Sequence, residues 1–181
     1  MVSEAHKLTY EDYLDMPNDG RRYEIIRGEL FVSPTPTFTH QQVLKHLFLL
    51  VHEFVSSRNL GTVMFAPLTV RLTPDEPVES DLLYISLERA SIIEETGIRG
   101  APDLIAEILS PNNRRRDLVT KFNRYAQVGV KEYWIVDPVA RTVDQFRLVG
   151  DVYVRSESEP GIIRSHVLAG FEASTNAIFR G

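Results

Sequence analysis

Between Thr39 and Arg58 the apolar positions Val43, Leu44, Leu47, Phe48, Val51, Phe54 and Val55 recur at intervals of three and four, which predicts a long amphipathic helix with one buried stripe. Gly61 stands where such a helix would stop. Nearer the amino terminus, Thr9 followed three residues later by Asp12 has the form of a capping box, and Tyr10, Tyr13 and Leu14 give a short helix ended by Pro17 and Gly20. The period then changes. Arg22–Ile26 and Glu29–Val32 flank Arg27-Gly28, which predicts a β-hairpin whose turn uses the glycine's freedom at positive φ, and Pro34 and Pro36 end it.

After the long helix, Thr62–Ala66, Leu68–Leu72 and Asp81–Ser86 read as strands separated by Pro67 and by the turn-rich run Thr73-Pro74-Asp75-Glu76-Pro77. A short helix is expected over Leu87–Glu95. Asp103–Leu109 is apolar on both alternating faces, as in a central strand covered on two sides, and Pro111 closes it. Arg114–Val128 is amphipathic through Leu118, Phe122 and Tyr125, with Gly129 as its cap before the strand Tyr133–Val136. Shorter strands follow at Thr142–Leu148, Val152–Arg155 and Ile162–Val167. With no repeat, linker or low-complexity segment, the pattern predicts one mixed α/β (α+β) domain over residues 1–181: a helix and hairpin (8–33), a core (37–138) and C-terminal strands (141–179).

The chain has 181 residues, 43% hydrophobic and 25% charged, the proportions of one globular domain that needs no disulfide or structural metal. The absence of cysteine excludes thiolate zinc sites, iron–sulfur clusters and cysteine nucleophiles, and agrees with a reducing compartment. A net charge of −5 lacks the global basic footprint of phosphate-neutralising proteins, so any nucleic-acid contact must be local. Met1–Tyr10 holds no apolar leader, and Val43–Val55 is interrupted by Lys45, His46, His52 and Glu53. The expectation is a cytoplasmic protein with no membrane partner.

Two acids sit where charge is awkward. Glu107 lies inside the apolar run Leu104–Leu109, where a carboxylate must be paired, protonated or bound to a cation. Asp81 opens its strand, and both a turn acid and a functional acid fit that position. Asp103 is a rival, but four strand residues place it about 13 Å from Glu107, too far to share one Mg²⁺ with it. Lys121 is either half of an exposed Asp117–Lys121 pair or a neighbour of the buried stripe with its amine over the end of the Glu107 strand; the lone helix does not decide. Arg114-Arg115-Arg116 is the one concentrated basic stretch. Arginines at a helix start oppose the dipole there, which favours a phosphate contact.

Tyr23–Leu30, Ser33-Pro34, His40, Asp81, Ala101–Pro111, Asp117, Lys121, Tyr125 and Gly129–Pro138 together resemble the bacterial restriction-endonuclease-like family of the PD-(D/E)XK nuclease superfamily, over about Leu8 to Phe179. The resemblance implies a restriction-endonuclease-like core, a central mixed sheet flanked by helices, with a metal-dependent phosphodiesterase site. It places the first motif acid on Asp81, the second on Glu107 and the lysine on Lys121, with Glu24 and His40 as accessory positions. Two departures stand out. Ser80 replaces the usual proline, and Leu109 occupies the usual lysine position, so Lys121 resembles a lysine that has migrated to the next helix.

On that basis Asp81, Glu107 and the Ile108 carbonyl are expected to ligate Mg²⁺, with Mn²⁺ as the alternative ion, while Lys121 stabilises the developing charge on a nucleic-acid phosphodiester, DNA being the expected substrate. Arg114, Arg115 and Arg116 are the expected nucleic-acid contacts, and a homodimer the expected assembly. The alternatives are a nuclease-fold binding or assembly domain without catalysis, for which Leu109 speaks, and a paired-carboxylate glycosidase, which the lysine disfavours.

Overall fold

The computed structural model describes residues 7–110 and 114–180. Helix α1 (Tyr10–Leu14) opens with the expected capping box: the Thr9 amide donates to Asp12 Oδ2 at 2.8 Å and the Asp12 amide to Thr9 Oγ1 at 3.5 Å. Strands β1 (Arg22–Ile26) and β2 (Glu29–Ser33) form the hairpin, in which Ile26 faces Glu29 across two turn residues. Both turn residues have positive φ, Arg27 at 54° and Gly28 at 81°, the geometry that matches the twist of a two-residue hairpin.

Helix α2 (Phe38–Ser57) begins at Thr37, whose hydroxyl accepts the His40 amide, and it buries Val43, Leu44, Leu47, Val51 and Val55 as the periodicity requires. Its end differs from expectation. Asn59 supplies the left-handed residue (φ 52°) and the Leu60 amide bonds back to the Val55 carbonyl, whereas Gly61 already belongs to β3 (Gly61–Phe65). A Cβ at Gly61 would lie 2.1 Å from the Ile85 carbonyl oxygen, so the glycine serves close strand approach and not the helix stop.

The chain continues through β4 (Thr69–Arg71), β5 (Pro77–Glu79) and β6 (Leu82–Ser86). The helix expected over Leu87–Glu95 is a 3₁₀ turn, Leu87–Ile92, followed by β7 (Ile93–Glu94), β8 (Gly97–Arg99) and β9 (Leu104–Ile108). Pro111, the expected stop of that strand, lies outside the described residues. The helix expected over Arg114–Val128 is a composite, with a π turn at Arg116–Lys121 and α3 at Phe122–Val128. Then come β10 (Glu132–Asp137), β11 (Thr142–Val149), β12 (Val152–Arg155), β13 (Ile162–Arg164), β14 (Glu172–Ser174) and α4 (Thr175–Ile178). Strands β5, β7, β8 and β14 escape a periodicity argument because two or three residues carry no measurable alternation.

Six strands form the main sheet in the order β12-β11-β10-β9-β6-β3. Only β9 and β10 run parallel; they are joined through the composite helix, and β9 is interior as expected. On one face Leu82, Tyr84, Leu104, Ala106, Ile108 and Trp134 pack against α2 and the C-terminal Phe171 and Ile178. On the other face Leu83, Ile85, Ile105, Leu109, Tyr133 and Ile135 pack against Tyr125 of α3 and against Val70, Val78 and Ile98 of a small sheet, β5-β4-β8-β7. Among the described residues no helix is long and apolar enough to cross a membrane.

Candidate active site

Asp81 and Glu107 face each other because of strand register. Antiparallel pairing sets Leu82 opposite Ala106, so the residue before one and the residue after the other meet at the same end of the sheet. Alternation puts Glu107 on the face of Ile105 and Leu109, beneath α3, and both acids are 2% exposed. The Ile108 amide donates to Asp81 Oδ2 at 2.8 Å, tying the start of β6 to the end of β9.

Lys121 reaches this spot because the helix above it is wound in two ways. Four α-helical residues overshoot one turn by about 40°, whereas the wider π turn undershoots. Across Arg116–Val128 the two deviations oppose, and Asp117, Lys121 and Tyr125 are all brought under the helix and buried. The Lys121 ammonium donates to Glu107 Oε1 at 2.8 Å and to the Glu79 carbonyl at 3.3 Å, and it pairs with Glu24 Oε1 at 2.8 Å. The Tyr125 hydroxyl donates to the same Glu107 oxygen at 2.8 Å, and Ser80 Oγ lies 3.3 Å from that hydroxyl. Lys121 is therefore no surface partner of Asp117; it is 1% exposed. Leu109, the residue after β9, belongs to the apolar cluster on the Glu107 face of the sheet.

The β1–β2 hairpin and the first turn of α2 complete the cluster. Arg22 and Glu24, two apart on β1, both point into it. Arg22 holds Asp81 Oδ1 through one terminal nitrogen at 2.8 Å, the Glu79 carbonyl through the other at 2.7 Å, and Glu79 Oε2 through Nε at 3.1 Å. Glu24, fully buried, accepts the Glu79 amide and pairs with Arg116 at 3.0 Å. His40 Nε2 lies 3.1 Å from Asp81 Oδ2.

Burial would push every acid here upward, and neighbouring charge decides the outcome. For Asp81, burial is outweighed by the His40 hydrogen bond, Arg22 and the Ile108 amide, and its pKa lies well below the usual carboxylate range. Glu24 is likewise held low, against burial, by Lys121, Arg116 and Arg22. For Glu107 burial prevails over Lys121, reinforced by Asp81, Asp117 and Glu24, and its pKa is pushed up to about 8. Asp117 is raised to about 6, again chiefly by burial. Lys121 is raised, because Glu107, Glu24 and Asp117 overcome its own desolvation. Among the described residues, four buried polar atoms lack a hydrogen bond: Glu24 Oε2, His40 Nδ1, Arg116 Nε and Asp117 Oδ1. Both hydrogen bonds to Glu107 from described residues fall on Oε1, which leaves Oε2 open.

The structure thus brings together five of the expected residues: Asp81, Glu107, Lys121, Glu24 and His40. It dismantles the arginine triplet as one basic patch. Successive helical residues point about 100° apart, so Arg116 turns inward to Glu24 and Ser33, Arg114 pairs with Asp137 at 2.7 Å, and Arg115 alone is left exposed without a partner among the described residues. Asp103 stands apart, held by Arg89, Lys131 and the Ser86 amide. Arg22, Glu79 and Asp117 were not anticipated as part of the cluster. For Arg22 a usable signal existed, since positions two apart on a strand share a face and Glu24 was already a candidate.

A mixed sheet with a parallel pair at its centre, joined through a helix and carrying a buried charged cluster at one end, defines a nuclease-like α/β fold. A crystal structure of a protein from Anabaena variabilis, described as a "putative nuclease belonging to DUF820", superposes with a TM-score of 0.78 at 19% identity, covering 95% of this chain and 97% of that one. The chain belongs to the Uma2 family, whose model, described as "Putative restriction endonuclease", matches residues 10–176. No curated protein matches it.

Proposed function

We propose that the protein is a metal-dependent endonuclease that hydrolyses nucleic-acid phosphodiester bonds, with DNA as substrate. The observation that carries this is the meeting of Asp81 and Glu107 at one buried end of the sheet, with the Lys121 ammonium on Glu107. The donor chemistry fits a hard divalent cation. With all five ionised, Glu24, Glu79, Asp81, Glu107 and Asp117 outnumber the permanent cations Arg22, Arg116 and Lys121 by two, an imbalance that one such ion would neutralise on displacing the Glu107 proton. Among the described residues no cluster of three or more acids or histidines has metal-holding geometry. Mg²⁺ needs only one or two carboxylates with water at its other positions.

Asp81 and Glu107 would hold Mg²⁺ or Mn²⁺. Such an ion polarises a phosphate oxygen and lowers the pKa of a bound water. Lys121 fixes the rotamer of Glu107 and favours its charged form. Tyr125 and the Ile108 amide hold the two acids in register, so that little reorganisation is needed when charge develops. His40 orients Asp81 from the opposite layer.

Supercoiled-plasmid nicking with Mg²⁺ or Mn²⁺ tests this. Wild type nicks, and Asp81→Asn and Glu107→Gln do not; equal activity in all three rejects the site. A non-catalytic nuclease-fold domain is the second reading, favoured by Leu109 and by the complete engagement of the Lys121 ammonium. It requires nucleic-acid binding that is indifferent to metal and to both acid substitutions.

A further inference from the structure

The cations of the cluster are not equally free to meet a substrate. Lys121 has three N–H groups and three acceptors, Glu107 Oε1, Glu24 Oε1 and the Glu79 carbonyl, and its side chain is 1% exposed. Arg116, 9% exposed, is committed to Ser33 and Glu24. Arg22, at 15%, is the most exposed of the three, and it is the one in contact with Asp81.

That contact is specific to one oxygen. Among the described residues, Asp81 Oδ2 receives the Ile108 amide and contacts His40, whereas Oδ1 receives only Arg22. A divalent cation approaching Asp81 would therefore meet Oδ1 with an Arg22 nitrogen 2.8 Å from it, and repulsion between the ion and the guanidinium at that range favours release of the guanidinium. Displacement would not send the guanidinium away, because its Nε and its other terminal nitrogen stay bonded to Glu79 Oε2 and to the Glu79 carbonyl. One N–H edge is freed beside the ion while the head remains anchored.

On the reading of the site given above, we propose that Arg22 is a catalytic residue: a divalent cation takes Asp81 Oδ1 from it, and the released guanidinium edge binds the non-bridging oxygen of the scissile phosphate. Glu79 is the anchor that keeps it in place. Arginine suits this role because two of its nitrogens can stay on Glu79 while the third donates to phosphate, and because it stays charged at any working pH. The arrangement couples two events: before the ion binds, Arg22 neutralises Asp81, and afterwards the same charge serves the substrate.

Arg22→Gln tests the assignment through two readouts that need no turnover. Calorimetric titration with Mn²⁺ is expected to show severalfold tighter binding, since a competing positive charge is gone. Fluorescence anisotropy of a labelled DNA duplex in Ca²⁺ is expected to show at least about tenfold weaker binding, the loss of one charge-assisted contact. Weaker Mn²⁺ binding, or unchanged duplex affinity, overturns the proposal. Should Arg22→Gln fail to fold, Arg22→Lys keeps the charge beside Asp81 but not the fork, and duplex affinity unchanged from wild type in that variant overturns it equally. Asp81→Asn separates the two levels of inference. If it binds Mn²⁺ as wild type does, the proposed function fails; if it loses Mn²⁺ while Arg22→Gln behaves as wild type, the Arg22 assignment alone fails.

Discussion

Glu24 Oε1 lies 2.8 Å from the Lys121 ammonium, joining the N-terminal hairpin to the helix that follows β9. The hairpin is outside the main sheet, yet it supplies the acid that balances two cations, Lys121 and Arg116, in the interior. Removing one partner of a buried pair leaves an uncompensated charge, which costs about 3–5 kcal/mol. Glu24→Ala is expected to destabilise the fold by that amount in urea denaturation. Glu24→Gln, which keeps the shape and one acceptor oxygen, costs less.

Stability in the absence of divalent metal is expected to fall as pH rises from about 5 to about 8. Glu107 (about 8) and Asp117 (about 6) have raised pKa values, so over this window the folded state binds more protons than the unfolded chain. Stability then decreases with pH. Asp81 and Glu24, held low, act in the opposite sense, but only in more acidic solution. Thermal melts in EDTA read this slope directly. With Mn²⁺ present the stabilisation is expected to grow over the same range, because the ion binds the carboxylate and displaces its proton. A melting temperature that climbs with pH in EDTA would contradict the protonated Glu107.

Lys121→Met removes the cation from both Glu107 and Glu24. Nicking is expected to drop at least about 100-fold, the scale for losing a fixed electrostatic group. Adding Leu109→Lys places an ammonium two residues from Glu107 on the same strand face, and part of the activity is expected to return. Gel assays on the single and double variants measure the recovery.

Gly61→Ala addresses the sheet and not the chemistry. Its Cβ would meet the Ile85 carbonyl at 2.1 Å, and its φ of 151° disfavours any side chain. Strand β3 must shift from β6, for an expected cost of about 1–3 kcal/mol. Calorimetric melting should show the loss, while Mn²⁺ affinity, set at the far end of β6, stays at the wild-type value.

Local pattern made much of this legible. The capping box at Thr9, the Arg27-Gly28 hairpin and the stripe of α2 depend on contacts within a few residues, so spacing alone reveals them. Glu107 was conspicuous for the same reason, as a carboxylate inside an apolar strand. The arginine triplet is not one patch because adjacency in sequence says nothing of direction on a helix, and the π turn that rotates Asp117 and Lys121 inward leaves no periodic mark. Arg22 looked like an ordinary strand charge, and Glu79 fell outside every expected strand.

What the amino-acid order determined by itself was the longer elements, the central position of β9 and one acid, Glu107, that could not be ordinary surface charge; for Asp81 a turn role and a site role stayed equally open. Which charges meet was decided only by tertiary structure. Arg22, Glu24, His40, Glu79, Asp81, Glu107, Asp117 and Lys121 come from a hairpin, two helical segments and three further strands. The strength of each pairing depends on a low-dielectric interior that exists only after those pieces have packed.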